Sequence, residues 1–398
     1  MKISALRTVF CDTEKTTKIC QQFENNAFSH IHLKGLVGSS PAFLANAIFS
    51  KIPVHQGFIL NDKEEAAYFF NDLQRVVGED KVLFFPGSFR TPYQIEETDN
   101  ANVLLRSEVL NRINSRKKPA VIVTYPTALF EKVVTKKELE KNTLKITVGE
   151  NLSLDFVNEV LFEYKFKRVD FVTEPGDFSV RGGIIDVFSF SNDEPYRIEF
   201  FGDEIDSIRS FDVETQLSKE KLKKVSIMPN VENKTLQESR ESFLKYISSK
   251  TAIFVKNTEV LKDSLDKFFR KAELSFNELS QELNHSKPEE LFCDGALIQN
   301  QLADFSLVEM LSQGKSKEIS EISFNTHPQP SFNKKFELLI QNFNEFSAKG
   351  FTNYIFCSNE KQAQRFHDIF DDNEADVSYE TIVFPLYQGF VDIDNKIV

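Results

Sequence analysis

Residues 174–188 read EPGDFSVRGGIIDVF and residues 195–209 read PYRIEFFGDEIDSIR. β-branched and aromatic residues dominate both runs, so we predict strands at 178–180, 184–190 and 196–201, with a turn at 191–195 closing the second strand onto the third. Side chains alternate between the two faces of a strand. The apolar face of the third strand comprises Tyr196, Ile198 and Phe200. The opposite face comprises Arg197, Glu199 and Phe201, and the pattern leaves open whether this face is an interaction surface or an ordinary exposed sheet.

Buried strands and amphipathic helices lie on both sides of this β-rich segment. Before it, residues 82–85 and 121–123 are short apolar runs, and a striped helix separates them. After it, residues 252–255 repeat the pattern, and a further strand begins near 354. Such alternation is typical of a parallel sheet flanked by helices. We therefore predict a multidomain α/β fold in which a parallel domain is interrupted by an inserted α+β domain.

A chain of 398 residues exceeds what one hydrophobic core organises. We predict four domains: an α/β domain over 1–133, the α+β domain over 134–229, the continuation of the first domain over 230–325, and a small α/β domain over 326–398. The polar residues 326–330 are interpreted as the linker to the last domain.

The composition is that of a globular protein, with 41% hydrophobic and 27% charged residues. The net charge of −12 argues against tight DNA binding, because neutralising phosphates requires clustered Lys and Arg. Four cysteines without metal-ligand spacing indicate free thiols in a reducing compartment. With neither a signal peptide nor a membrane span in the sequence, we expect a cytoplasmic protein with a protein partner and no membrane contact.

A glycine-bearing turn lies where a phosphate-binding P-loop would lie, between a predicted strand and a predicted helix. A working loop needs a Lys that reaches the phosphates and a hydroxyl residue that holds magnesium. Pro41 and Ala42 occupy those two positions. We therefore predict a degenerate, non-functional P-loop formed by Gly35, Gly38, Ser39, Ser40, Pro41 and Ala42, and a chain that needs no cofactor.

Other polar clusters give no catalytic or metal site. The acidic group of Glu199, Asp203, Glu204 and Asp206 has no other support as a site, and Asp203 and Glu204 are interpreted as turn residues after a Gly; 373–376 are interpreted as a solvated helix end. His30 and His32 share one face of a strand but lack a third ligand in the sequence, so no zinc site is expected. Arg181-Gly182-Gly183 is interpreted as a bulge or bend within a strand rather than a nucleic-acid tract.

The two quoted runs, continuing through 211–216, resemble the signature shared by UvrB and the transcription-repair coupling factors; residues 85–93 are similar to a stretch of the first domain of that family. UvrB keeps its phosphate-binding Lys and carries an aromatic-rich DNA hairpin, and this sequence has neither. The degenerate loop, together with 354–357 and 388–392, favours the N-terminal region of the coupling factors. The resemblance is strong over about 120–216 and looser elsewhere.

The resemblance implies that the α+β domain binds UvrA through a surface shared with UvrB. The contact residues of the family fall on Arg181, Arg197 and Phe201, which agrees with the outward face of the third strand. Arginine forks can pair with carboxylates, and Phe201 supplies apolar area. We expect Ala at any of the three to weaken UvrA binding and to leave the fold intact.

The coupling factors of this family also contain an RNA-polymerase-interacting domain and an ATP-driven DNA translocase. No helicase motif occurs before Val398, so contacts with RNA polymerase and DNA, and enzymatic activity, are expected only from parts outside this sequence. Three hypotheses remain: a UvrA-recruiting scaffold, a UvrB-like ATPase component of the excision nuclease, and a generic interaction domain without a repair role.

Overall fold

The computed structural model describes residues 3–25, 29–88, 100–115, 118–190, 192, 194–229, 239–279, 286–311, 320–333 and 335–398. Parts of two predictions lie outside these residues: positions 191 and 193 of the predicted turn, and positions 89–93 of the family-like stretch.

The N-terminal part alternates helices and strands, as predicted. Its elements are α1 (Ile3–Cys11), α2 (Glu14–Asn25), β1 (His30–Lys34), α3 (Ser40–Lys51), β2 (Gln56–Ile59), α4 (Lys63–Val77), a 3-10 turn (Glu79–Lys81), β3 (Val82–Phe84), α5 (Asn100–Ser115), β4 (Val121–Thr124), α6 (Pro126–Phe130) and β5 (Val133–Val134). Local signals explain the boundaries. Asp62 caps α4 by accepting a hydrogen bond from the backbone N–H of Glu65 at 2.9 Å, and Gly78 ends the helix with a φ of 122°.

The middle part holds most of the antiparallel structure. Its elements are α7 (Lys136–Lys141), β6 (Leu144–Thr147), α8 (Leu154–Glu163), β7 (Lys167–Arg168), β8 (Asp177–Arg181), β9 (Ile184–Val187), β10 (Tyr196–Phe201), β11 (Glu204–Phe211), β12 (Ser218–Leu222) and β13 (Lys224–Ile227).

The C-terminal parts return to the α/β pattern. Their elements are β14 (Arg240–Glu241), α9 (Phe243–Tyr246), β15 (Ala252–Val255), α10 (Thr258–Leu279), α11 (Pro288–Leu291), α12 (Gly295–Leu302), β16 (Ser306–Leu311), β17 (Ser320–Ser323), β18 (Thr326–Pro328), α13 (Phe336–Ala348), β19 (Tyr354–Cys357), α14 (Glu360–Asp372), β20 (Glu380–Val383) and β21 (Phe390–Asp392).

A seven-stranded sheet in the order β17-β1-β16-β15-β2-β4-β3 forms the largest layer, and all its strand pairs are parallel. Its central strands are buried on both faces; Phe58 of β2 stacks on Phe254 of β15 at 4.4 Å between ring centroids. Strands from both ends of the chain build this sheet, and the antiparallel strands are inserted between them. This topology confirms the predicted α/β fold class.

The inserted strands form a six-stranded sheet in the order β12-β11-β10-β9-β8-β7. Strands β9 and β10 pair antiparallel, which confirms the predicted hairpin. One sheet face packs on α8 and on the β6–β13 pair, through a core that includes Phe178, Ile185 and Ile198.

Two local predictions are wrong. Gly182 and Gly183 do not bend a strand; they form the two-residue turn between β8 and β9, where Arg181 pairs with Ile184 and Gly182 takes a φ of 59°. Residues 326–328 are not linker but strand β18, paired antiparallel with β21 near the end of the chain. A short polar edge strand has too little sequence pattern to reveal a partner about sixty residues away.

Candidate functional site

The outward face of β10 lies as the alternation predicts. Tyr196 and Ile198 are buried in the core beneath the sheet, whereas Arg197, Glu199 and Phe201 point away from it. Strand β8 adds Arg181 at its end to the same outer surface. We refer to Arg181, Arg197 and Phe201, together with Asp186 of β9, as the sheet surface.

Asp186 is the residue that organises the sheet surface. It lies opposite Arg197 in the β9–β10 pair and is 1% exposed. Arg197 donates from Nε and Nη2 to the two carboxylate oxygens of Asp186, both at 2.8 Å, and from Nη1 to the carbonyl of Gln216 at 3.3 Å. The hydrogen bonds to Asp186 raise the pKa of Arg197 above its ordinary value. Arg197 is therefore held in one bidentate geometry.

Arg181 reaches the same carboxylate from the neighbouring strand. Its Nη2 donates to Asp186, and its guanidinium lies over the ring of Phe171 at 5.5 Å. The Arg181 side chain is 44% exposed, whereas that of Arg197 is only 18% exposed. Arg181 can thus offer part of its guanidinium to a partner, while Arg197 is mostly covered.

Phe201 stands apart from the two arginines. It lies four residues beyond Arg197, about 13 Å along the strand, and Glu199 lies between them, accepting hydrogen bonds from Ser207 and Arg209. Phe201 is 82% exposed, the largest value among the exposed large hydrophobic residues described. A ring this exposed contributes little to the core and is available to a binding partner.

The structure therefore joins Arg181 and Arg197 through Asp186 and leaves Phe201 as a separate exposed ring. Arg197 is thus not a free surface side chain, because its removal would leave the buried Asp186 carboxylate without its bidentate partner. Sequence reasoning missed Asp186. Its one signal was an acid at an alternating position within the apolar run 184–187.

The second predicted feature, the loop between β1 and α3, has the strand-to-helix geometry expected of it. Gly35 and Gly38 have φ values of 76° and 56°, and Pro41 lies in the first turn of α3. Ser39, Ser40, Pro41 and Ala42 are all buried. The two residues that replace the Lys and the magnesium-binding hydroxyl thus belong to the core.

The chain itself fills this loop. The N–H of Ser39 donates to the carbonyl of Gln388 at 3.0 Å, and the N–H of Gln388 donates to Ser39 Oγ at 3.1 Å. The N–H of Val37 donates to Thr326 Oγ1 at 3.1 Å. A Cβ placed on Gly38 would lie 2.6 Å from the carbonyl oxygen of Gly389. In a working P-loop such backbone N–H groups bind phosphate. Here those of Val37 and Ser39 donate hydrogen bonds to Thr326 and Gln388 instead.

Asp72 of α4 completes this contact. Its carboxylate accepts a hydrogen bond from Ser39 Oγ at 2.5 Å and another from the N–H of Tyr387 at 2.9 Å. The Tyr387 ring stacks on Tyr68 with centroids 3.8 Å apart. Burial raises the pKa of Asp72. We call residues 385–389 the plug, because they cover the loop through these contacts.

The structure also locates the other polar groups considered in the sequence. Gly202 and Asp203 form the two-residue turn between β10 and β11, and Asn373 ends α14, as expected of turn and helix-end residues. His30 and His32 lie within reach of a third potential ligand, Glu309 of β16, which the spacing along the sequence did not reveal.

No helix in the described ranges is long and apolar enough to cross a membrane.

Comparison with known proteins bears on the sheet surface directly. Residues 144–232, which begin at the first residue of β6, match the family described as UvrB interaction domain. The chain is also 30% identical over 225 residues to the transcription-repair-coupling factor of Bacillus subtilis, an alignment covering 56% of this chain and 19% of that protein.

Transcription-repair-coupling factors of other bacteria are similar to this chain as well. The transcription-repair-coupling factor of Staphylococcus aureus is 35% identical over 173 residues, or 42% of this chain and 14% of that protein. That of Myxococcus xanthus is 28% identical over 223 residues, or 54% and 19%. The matched stretch thus spans about a fifth or less of these relatives. The resemblance expected from the sequence is confirmed: this chain contains a segment similar to the UvrB interaction domain and, over about half its length, is similar to transcription-repair-coupling factors.

Proposed function

We propose that this chain is a protein-binding module that recruits UvrA in the cytoplasm during transcription-coupled nucleotide excision repair. The observation that carries the proposal is the pair of exposed groups on the outer sheet face, the Phe201 ring and the half-exposed Arg181, on a sheet that lies within the match to the UvrB interaction domain. The four free cysteines fit a reducing compartment.

In the proposed contact, some residues of the sheet surface touch UvrA and others hold those residues in position. Phe201 inserts into an apolar pocket of UvrA, and Arg181 pairs with a UvrA carboxylate at its open side. Arg197 holds Asp186, and Asp186 holds Arg181 in place. The exposed Phe171 ring, which packs under the Arg181 guanidinium, extends the apolar area of the surface.

We further propose that this chain has no ATPase activity. The support is the filled loop: its backbone N–H groups bind the side chain of Thr326 and the carbonyl of Gln388, and Pro41 and Ala42 supply neither charge nor magnesium ligand. We retain the four domains proposed from the sequence, with limits 1–133, 134–229, 230–325 and 326–398. The non-functional loop lies in the first of them, and the inserted binding domain is the second. Contacts with RNA polymerase and DNA are assigned to parts of the longer relatives that this sequence does not contain.

The proposal is tested by titrating the full chain into UvrA of the same organism in a calorimeter. Saturable binding, displaced by added UvrB, is the expected result, because the similarity to the UvrB interaction domain implies a surface shared with UvrB. Saturable UvrA binding that UvrB leaves untouched would place the contact elsewhere, and no binding would support a generic interaction domain instead. Titration with a fluorescent ATP analogue and magnesium tests the second part; saturable binding that ATP competes away would support the UvrB-like ATPase hypothesis.

A further inference from the structure

Two histidines and a glutamate meet on one face of the seven-stranded parallel sheet, away from both features described above. His30 and His32 are two residues apart on β1, so their side chains lie on the same face. Strand β16 runs beside β1 in register, with Glu309 opposite His32. Among the described residues, these three form the one group of His, Cys, Asp and Glu side chains close enough to share a metal ion.

The distances suit a common ligand. Glu309 Oε1 lies 3.1 Å from His30 Nε2 and 4.0 Å from His32 Nε2, and all three potential ligand atoms lie within 4.8 Å of one another. Tetrahedral zinc, with bonds of about 2.0–2.2 Å, separates its ligand atoms by about 3.3 Å. The His30–Glu309 distance already approaches this value. The His30 side chain is exposed, so a small rotation can adjust its position.

The surroundings also favour a cation. Glu309 and His32 are buried, and Thr258 Oγ1 donates a hydrogen bond to Glu309 Oε1 at 3.0 Å, which orients the carboxylate. Glu321 of β17 lies opposite His32 on the other side of β1, where Lys34 balances its charge.

We propose that His30, His32 and Glu309 bind one divalent transition-metal ion of the zinc type, with water in the fourth position at the exposed side of His30. Nitrogen and carboxylate ligands of this kind suit Zn²⁺, and three protein ligands with one open position are a known zinc arrangement. The ion ties β1 to β16, two neighbouring strands that come from distant segments of the chain. Glu321 is not a ligand, because Lys34 Nζ holds its carboxylate at 2.5 Å.

The test uses the full chain after treatment with a chelator and dialysis. Calorimetric titration with Zn²⁺ is expected to show one equivalent bound, and Co²⁺ in its place is expected to give the visible absorption of a tetrahedral site. Because an ion that binds only the folded state stabilises it, the melting temperature should rise with added Zn²⁺.

Substitutions identify the ligands. His30→Ala changes an exposed side chain and should weaken Zn²⁺ binding at least tenfold with an unchanged circular dichroism spectrum; His32→Ala and Glu309→Gln should abolish the bound equivalent. Glu321→Gln and His327→Ala, controls of matched chemistry outside the ligand set, should keep it. The proposal is overturned if the wild-type chain binds no Zn²⁺, or if His30→Ala and His32→Ala bind it with wild-type affinity. Such binding would place the ion on other groups, for example the cysteines. Loss of the equivalent in Glu321→Gln would overturn the ligand set.

Discussion

The sheet surface and the loop between β1 and α3 were both predicted from sequence patterns, but they differ in how far other residues of the chain cover them. The loop is filled: residues 326 and 388 occupy its donors, and the plug packs over it. The sheet surface is open: Phe201 is almost fully exposed, and a Cβ added at Gly182 would meet nothing within 4 Å beyond its own chain neighbours.

This difference separates structure from recognition. Buried polar groups must find partners within the chain, so a loop that no longer meets a ligand is stabilised by internal hydrogen bonds. An apolar ring left in water contributes nothing to folding, which makes Phe201 the stronger candidate for binding. Within the sheet surface the same distinction holds between Arg197, which is internally bound, and Arg181, which is partly open.

The largest effect on stability is expected at Arg197. Arg197→Ala leaves the buried Asp186 carboxylate with Arg181 alone, and breaking a buried ion pair costs about 3 kcal/mol or more. Arg181→Ala removes a half-exposed partner and should cost under about 1 kcal/mol. Urea denaturation of both variants measures the difference in unfolding free energy. Equal costs would show that Arg197 is not the structural member of the pair.

A matched pair of glycines tests the filled and open features against each other. Gly38 and Gly182 have φ values of 56° and 59°, so Ala at either is strained by about 1–2 kcal/mol. Gly38→Ala also drives Cβ against the carbonyl of Gly389, adding about 1–3 kcal/mol of overpacking, whereas Gly182→Ala meets open space. Gly38→Ala should therefore be the less stable variant in urea denaturation. Variants of equal stability would mean that the plug does not cover the loop.

A smaller effect concerns pH at the plug. Burial raises the pKa of Asp72 above its value in the unfolded chain, so the folded state binds this proton more tightly. The contribution is present below the unfolded pKa and is lost as pH rises through the folded pKa. The unfolding free energy of the wild-type chain relative to Asp72→Asn should therefore increase as pH falls through the acid range. Denaturation of both proteins across that range gives this difference in unfolding free energy, in which the contributions of the other carboxylates cancel. A difference that stays constant or decreases as pH falls would contradict a raised pKa of Asp72.

The weakest interaction is expected with DNA. The net charge of −12 and the internal pairing of Arg197 leave little positive surface for phosphates. Duplex binding in gel shifts at physiological salt should be no tighter than the range of about 10⁻⁴ to 10⁻⁶ M that is typical of non-specific association. Submicromolar binding that resists added salt would contradict this expectation.

The sequence predicted those features that depend on local periodicity. Alternation in β10 placed Phe201 outward and Ile198 inward, and the apolar runs located β4 and β15. It could not predict contacts between distant residues. The plug joins positions 39 and 388, and the third potential metal ligand, Glu309, lies on a strand far along the chain from His32. The bidentate pairing of Arg197 could not be predicted for the same reason, because it depends on Asp186 of a neighbouring strand.

Calorimetric titration of UvrA with Phe201→Ala tests the central claim most directly, with Phe156→Ala as the control. Phe156 is also an exposed phenylalanine, on α8, which covers the opposite face of the sheet. If the sheet surface binds UvrA, Phe201→Ala should lose about 2 kcal/mol of binding free energy, more than tenfold in affinity, at an unchanged melting temperature. Phe156→Ala should bind like the wild-type chain. Wild-type affinity in Phe201→Ala, or an equal loss in both variants, would contradict the account.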